Sequence, residues 1–418
     1  METFILRPGL RVAVIGASGH GKTELIATLT RHIGTKPFGQ RTERAPGPER
    51  EVPSFHHRSP SIRHATYRVE SPNREYTAVD VVGRRRYLRH AGVLTSCVDA
   101  CLLVVSASEG VMPLTRAHCI LARQHTAGSV VVFINRCDEV TDLDQLDLAE
   151  MEAREALIDA GFDGDAVTIV RGSARPPAAQ EAMWTHALDD LIDALDRGLS
   201  DVQSAVEQPL VATVMHRWNR PARPSPVVEV SVRQGVLRQG ARFFLVDRDG
   251  VTRGMKVNSL RVLNSPAKAI EAGTIGTVSL TIQPGSASAT QRFPRMGDTL
   301  LEVEPVLVRR VTARVSLISA KRGGRRTAAP HGHEAQLWLL GRDLRCRMLL
   351  GDASDAIEPG AQREVTLEFP TPAAVAVGAT FAMRDGSDGD SVRDPSGGNL
   401  RSGCFATGQV LSIVAYAD

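Results

Sequence analysis

The stretch RVAVIGASGHGKTELIATLTRHI, residues 11–33, decides how the first half of this chain folds. It opens with the apolar run RVAVIG (11–16), which suits a strand buried on both faces. It closes with KTELIATLTRHI (22–33), where Leu25, Ile26, Leu29 and Ile33 fall on one helical face. Between them lies GASGHGKT, Gly16 to Thr23, which fits G-x-x-x-x-G-K-[ST] in the strand-to-helix context that a phosphate-binding loop requires. Glycines let backbone N–H groups curl round phosphate oxygens, and the helix N-terminus adds its positive end. Gly16, Ala17, Ser18, Gly19, His20 and Gly21 are the expected cradle, with His20 read as a donor to neighbouring backbone. Lys22 is expected to reach the β and γ phosphates, and the Thr23 hydroxyl to bind Mg²⁺.

Downstream, YTAVDVV (76–82), ACLLVVSA (100–107), SVVVFIN (129–135) and AVTIVRGS (166–173) are further near-continuous apolar runs. LTRAHCILARQHT (114–126) and LAEMEAREALIDAG (148–161, stopped by Gly161) read as the intervening helices. Strand alternating with helix predicts a mostly parallel sheet with helices on both faces. Asp80, at the end of the second core strand, is placed to hold Mg²⁺ through water, and Gly83 to offer its N–H to a γ-phosphate. NRCD, Asn135 to Asp138, follows the strand SVVVFI and resembles N-K-x-D, the guanine reader. In that motif the carboxylate accepts from the base N1 and N2 donors, which adenine lacks. Asn135 is expected at N7, Arg136 stacked on the base, and a backbone N–H of GSAR (Ser173, Ala174 or Arg175) at O6. Four pieces in this order predict a GTPase domain that takes GTP or GDP with Mg²⁺. Cys137 reads as an ordinary packed side chain.

Residues 34–62, rich in Gly, Pro and Arg and without a period, interrupt this scheme as a long loop. After about residue 205 the pattern changes to short alternating strands, among them PVVEVSVRQG (226–235), ARFFLV (241–246), GTIGTVSLTI (273–282), RRVTARVSLIS (309–319), EAQLWLL (334–340), REVTLEF (363–369) and ATGQVLSIVA (406–415). Such strings predict barrels or sandwiches. LEVEPVLVRR (301–310), with Pro305, reads as a joint, giving expected domains 1–203, 204–304 and 305–418. The fold expectation is therefore an α/β phosphate-loop GTPase domain followed by two all-β barrels.

A net charge of +3 is small for 418 residues and implies no global polyanion binder. Of 50 basic residues only Lys22, Lys36, Lys256, Lys268 and Lys321 are lysines, which biases basic surfaces toward bidentate contacts. Cys97, Cys101, Cys119, Cys137, Cys346 and Cys404 form no C-x-x-C pair and read as buried thiols of a reducing cytosol. The first residues enter a strand and glycine loop at once, and no apolar run approaches the roughly 18 residues of a membrane span. A cytoplasmic monomer with no membrane partner is expected.

GASGHGKTELIATLT (16–30), GVMPLTRAHCILARQ (110–124), VVVFINRCDEV (130–140), LAEMEAREAL (148–157) and IVRGSA (169–174) resemble the G domain of bacterial elongation factor Tu. ISAKRGGRRTAAPHGH (318–333) and ATFAMRDG (379–386) resemble its third domain. The resemblance implies a three-domain switch that binds aminoacyl-tRNA in the GTP state, releases it on the ribosome and is recharged by a nucleotide-exchange factor. It places Ser61 where the family has the switch-I threonine that ligates Mg²⁺. Gly19 replaces the family's loop acid. Arg84 stands in place of the second-switch histidine that positions the attacking water. An arginine has five donors and no acceptor, so Arg84 is expected to slow hydrolysis, or alternatively to stabilise transferring charge. Arg85 and Arg86 read as solvent-facing. Met215 and His216 replace an acidic pair near the family's aminoacyl end, and RPARPSPVVEV (220–230) replaces its Gly-Arg-Gly-Thr turn. Arg41, Arg44, Arg50, Arg58, Arg63 and Arg68, with Lys321, Arg322, Arg325 and Arg326, keep basic clusters suited to phosphate contacts. Two functions stay open: an aminoacyl-tRNA carrier, or a GTP-dependent regulator that binds another RNA or a protein.

Overall fold

In the computed structural model, residues 9–34, 65–71, 75–84, 88–125, 129–176, 181–199, 205–218, 225–247, 251–262, 265–283, 293–320, 324–339, 342–353, 355–375, 379–385 and 404–414 are described. They fall into two compact units, Met1–Ala91 with Val98–Val202, and Gly92–Cys97 with Gln203–Asp418.

The elements up to residue 202 are β1 (Leu10–Ile15), α1 (Lys22–Gly34), β2 (Ala65–Glu70), β3 (Glu75–Asp80), α2 (Leu88–Ser96, divided between the two units), β4 (Ala100–Ser106), α3 (Pro113–His125), β5 (Val130–Asn135), α4 (Leu143–Ala160), β6 (Thr168–Arg171) and α5 (Glu181–Gly198). Every residue of β1, β4 and β5 is buried, as the unbroken apolar runs require of strands covered on both faces. The six strands lie in the order β2-β3-β1-β4-β5-β6. All pairs are parallel except β2–β3, which is antiparallel at one edge. The chain passes from β1 to one side of the sheet and then crosses to β4 on the other. The loop after β1 therefore lies where strand order reverses, the usual binding crevice of an open α/β sheet. One core cluster joins Val12, Val14, Leu102, Val104 and Phe133 of the sheet to Leu25, Ile26 and Leu29 of α1 and Leu191, Ile192 and Leu195 of α5.

Several expectations change. The strand β2 and helices α2 and α5 are additional to the sequence reading. Helix α4 begins five residues before the expected Leu148, because Asp142 caps it by accepting from the Asp144 N–H at 3.0 Å. It ends at Gly161, whose φ of 95° suits glycine, as expected.

The second unit holds two closed barrels. The first contains β7 (Val211–Trp218), β8 (Val227–Gln234), β9 (Val236–Arg238), β10 (Arg242–Val246), β11 (Thr252–Val262), β12 (Ser265–Ala267), β13 (Ala269–Glu271), β14 (Ile275–Ile282) and β15 (Thr299–Leu301). Its ring is β10-β15-β7-β8-β14-β11, closed by the β10–β11 pairing. The second contains β16 (Leu307–Leu317), β17 (Ala329–Pro330), β18 (His333–Leu339), β19 (Arg342–Leu349), β20 (Ala356–Ile357), β21 (Gln362–Ala374), β22 (Thr380–Asp385) and β23 (Cys404–Ile413). Its ring is β16-β21-β19-β18-β22-β23, closed by β16–β23. Alternating side chains fill each interior, Val214, Val230, Leu245 and Leu280 in the first and Val315, Leu337, Leu367 and Phe381 in the second. Within this unit Arg342 is fully buried. Burial draws its guanidinium down to about 10, against the opposing pull of Asp298 and Asp247. Among the described residues no helix is long and apolar enough to cross a membrane.

Candidate nucleotide site

The loop after β1 turns on three glycines with positive φ: Gly16 at 137°, Gly19 at 92° and Gly21 at 83°. A side chain at Gly16 would run into the backbone carbonyl of Val104 on β4, so the turn demands glycine twice over. Lys22 is buried and rests its Nζ on the Ala17 carbonyl at 2.7 Å. Burial lowers its pKa, and the Asp80 carboxylate opposes the shift. The Thr23 hydroxyl donates to Asp80 Oδ2, bringing the first residues of α1 to the end of β3.

Gly83 is packed under this cradle. A Cβ there would meet the Gly16 carbonyl, Lys22 Nζ and the Ala17 backbone. Arg84, one residue on, is exposed. Ser61, Arg85 and Arg86 lie outside the described residues, as do Arg41, Arg44, Arg50, Arg58, Arg63, Lys321 and Arg322. Arg325 is engaged with His333 at 2.7 Å.

The loop is braced from behind by two histidines. The Gly16 N–H donates to Nδ1 of His118, on α3, at 3.1 Å. The Ser106 N–H donates to Nδ1 of His20 at 3.2 Å, so His20 accepts from backbone rather than donating to it, a correction to the sequence reading. Burial pushes His118 down to about 3, and the nearby Lys22 charge adds to the shift. Burial also lowers His20, with Glu109 opposing. Both rings are thus neutral acceptors at Nδ1. His118 escaped the sequence reading; its only signal was a lone histidine on the apolar face of LTRAHCILARQ.

The second half of the site lies at the ends of β5 and β6. Asn135 is buried; its Nδ2 donates to the His20 carbonyl at 2.9 Å and its Oδ1 accepts from the Ala174 N–H at 2.8 Å. Both polar atoms of the residue expected at N7 are therefore in use within the protein. Arg136 adopts the left-handed conformation, φ 63°, and its Nη2 donates to the Gly19 carbonyl at 2.5 Å. Asp138, in a short 3-10 turn, is half-buried and makes no hydrogen bond or ion pair with the described residues, leaving its carboxylate free to accept. Cys137 is buried, with its Sγ on the Ile134 carbonyl at 3.3 Å and its thiol pushed up to about 11 by burial, as suits a packing residue. Ser173 is buried and accepts from the Arg175 N–H at 3.3 Å, while the Arg175 side chain is exposed.

The described residues contain no cluster of three or more His, Cys, Asp or Glu able to hold a metal by themselves. A hydroxyl and a carboxylate in contact, Thr23 and Asp80, are the hard oxygen donors that suit Mg²⁺ shared with phosphates. The site thus offers a phosphate cradle at one end, an open carboxylate at the other, and Asn135 and Arg136 tying the two.

Comparison with known proteins bears on the domain and on the fold. Residues 8–201 match the family described as elongation factor Tu GTP binding domain. The fold as a whole is similar to translation elongation factor SelB from Methanococcus maripaludis, crystallised with the GTP analogue GPPNHP. That likeness has a TM-score of 0.71 and 14% identity, and it covers 98% of this chain and 80% of the other. The α/β unit and the two barrels thus share the fold of that factor, and residues 8–201 are similar to the elongation factor Tu GTP binding domain.

Proposed function

We propose that this chain is a GTP-dependent translation factor that carries aminoacyl-tRNA to the ribosome and hydrolyses GTP slowly. The observation that carries the reading is the pairing of a braced phosphate loop with the open Asp138 carboxylate, bridged by Asn135. Gly16 to Gly21 and Lys22 hold the phosphates. Asp138 accepts the N1 and N2 hydrogens of guanine, and the backbone of Ser173 to Arg175 lies beside O6. Thr23 and Asp80, with Ser61 from the first switch, would hold Mg²⁺, which when bound would neutralise phosphate charge. An exchange factor would reload GTP in a cytoplasmic monomer, and the working domains would be residues 1–203, 204–304 and 305–418.

Arg84 supports slow hydrolysis. A guanidinium stays protonated and has no lone pair to take a proton from water, so it cannot orient an attacking water by accepting from it. Titration with GTP, GDP and ATP tests the base reading. Asp138→Asn should cost about 100-fold or more in GDP affinity, since two charge-assisted bonds are lost. Single-turnover GTP hydrolysis with and without ribosomes tests the rate; strong ribosome stimulation would refute the assignment to Arg84.

A second reading, a GTP-dependent regulator of another RNA or protein, is favoured by Met215. It sits at a β-bulge of β7 and is fully buried, so it offers no polar contact where the family's acidic pair stands. Protection of an aminoacyl ester separates the two. A carrier slows deacylation when loaded with GTP; a regulator leaves it unchanged.

A further inference from the structure

Glu109 lies in the turn between β4 and α3, a segment fixed on both sides. The Ala107 N–H donates to the Asn135 carbonyl at 2.8 Å, the Gly110 N–H to the Ser106 carbonyl at 2.9 Å, and the Val111 N–H to Glu152 Oε2 at 2.9 Å. From this fixed turn the half-exposed Glu109 carboxylate faces two nucleotide motifs at once. Its Oε2 is 3.8 Å from His20 Nε2 in the phosphate loop, and its Oε1 is 3.7 Å from Arg136 Nη1 in the base-reading turn. His20 accepts at Nδ1, so its proton is on Nε2, a fully buried atom with no hydrogen-bond partner among the described residues. Arg136 spends Nη2 on the Gly19 carbonyl and has Nη1 between Glu109 and Glu139, each 3.7 Å away. The planar fork of arginine aims one nitrogen at the loop and the other at the carboxylates, whereas a lysine would serve both from one ammonium.

We infer that Glu109 is a positioning residue, a latch that draws the phosphate loop and the base-reading turn together and slows nucleotide release. The inference rests on the GTP-binding reading above. An ordinary exposed ion pair contributes little. This carboxylate differs because one of its targets is a buried N–H in need of an acceptor, and the other is a guanidinium already tied to the loop. A closing shift of under about 1 Å brings both contacts to hydrogen-bond length. Both groups that Glu109 faces belong to the protein, so it acts on the lifetime of the complex and not on the choice of base.

The test is release of a fluorescent N-methylanthraniloyl-GDP from the full chain, chased with excess GDP in a stopped-flow instrument. Glu109→Gln keeps the shape and loses the charge. Release should quicken about 5- to 10-fold, while the association rate and the melting temperature stay near the parent values. Arg136→Lys should quicken release similarly, and the double variant should be no faster than the faster single, because the two residues form one contact. Glu139→Gln, which removes a neighbour of Arg136 but not of His20, should change release by less than about twofold. Release from Glu109→Gln at the parent rate, or multiplicative effects in the double variant, would overturn the latch and leave the GTP reading standing. Equal affinity of the parent for guanine and adenine nucleotides would remove that reading, and the latch with it.

Discussion

The loop at residues 16–21 and the segment at 81–84 follow β1 and β3, neighbouring strands of one sheet, yet they are held very differently. In the loop, the Gly16 N–H is bound by His118, the Ala17 carbonyl by Lys22, the Gly19 carbonyl by Arg136 and the His20 carbonyl by Asn135. In the segment, the Val81 N–H still bonds the Val14 carbonyl at 3.1 Å. Three residues later Arg84 is exposed, and its side chain makes no ion pair or hydrogen bond with the described residues. The difference separates two tasks. A cradle that recognises phosphate is best fixed before the ligand arrives. Val81 and Gly83 of the second segment are buried and only its end at Arg84 is open to solvent, which suits the proposed response to a γ-phosphate.

The contrast can be broken most readily at Gly16. Gly16→Ala forces a side chain into the Val104 carbonyl at a φ of 137°. It should destabilise the domain by about 3 kcal/mol or more and abolish nucleotide binding, as read by urea unfolding and by titration with GDP. His118→Ala comes next. It leaves the buried Gly16 N–H without an acceptor and opens a cavity, at a cost of about 2–3 kcal/mol in the same unfolding assay.

The same residue gives a pH test. His118 titrates at about 3 in the folded chain against 6.5 as the ordinary value. Its folded pKa is depressed, so its contribution is complete above about 6.5 and is lost as pH falls toward 3. Urea midpoints measured from pH 7.5 down to about 4.5 should therefore decline, and His118→Asn should flatten that decline.

The smallest effect on stability belongs to the other segment. Arg84→Ala should shift the unfolding free energy by less than about 0.5 kcal/mol. Arg84→His should leave stability equally untouched while raising single-turnover hydrolysis, by about 10-fold or more, because an imidazole can accept. A large stability loss at Arg84 would show that the two segments are not built on opposite plans.

How much of this was legible beforehand follows from range and periodicity. The inner strands announced themselves because burial on both faces leaves few polar positions, as in VVVFIN of β5, where only the terminal Asn135 is polar. The edge strand β2, ATYRVE, mixes polar and apolar residues and follows a long aperiodic stretch, so nothing separated it from loop. Helix α2, nine residues with a glycine, is too short for a clear period. Helix α5 did carry one, with Leu188, Leu191, Ile192 and Leu195 on a common face. In the barrels, strands such as TRGMKVNSLRV of β11 alternate with charge and hide a half-buried face. The residues of the site that matched a motif were readable from local spacing alone. His118 was not, because its contact with Gly16 spans 102 positions. Nor was the left-handed turn of Arg136, which follows from the route of the chain and not from a residue type that prefers it.

Asn135 has a consequence for anyone who would retool this chain. One buried amide ties the His20 carbonyl to the Ala174 N–H, a keystone between the two halves of the proposed crevice. Attempts to create an orthogonal nucleotide specificity by altering position 135 would loosen the grip on the tail along with the choice of head. On the proposed reading, position 138, whose carboxylate is unspent among the described residues, is the place to rewrite base preference without disturbing the rest.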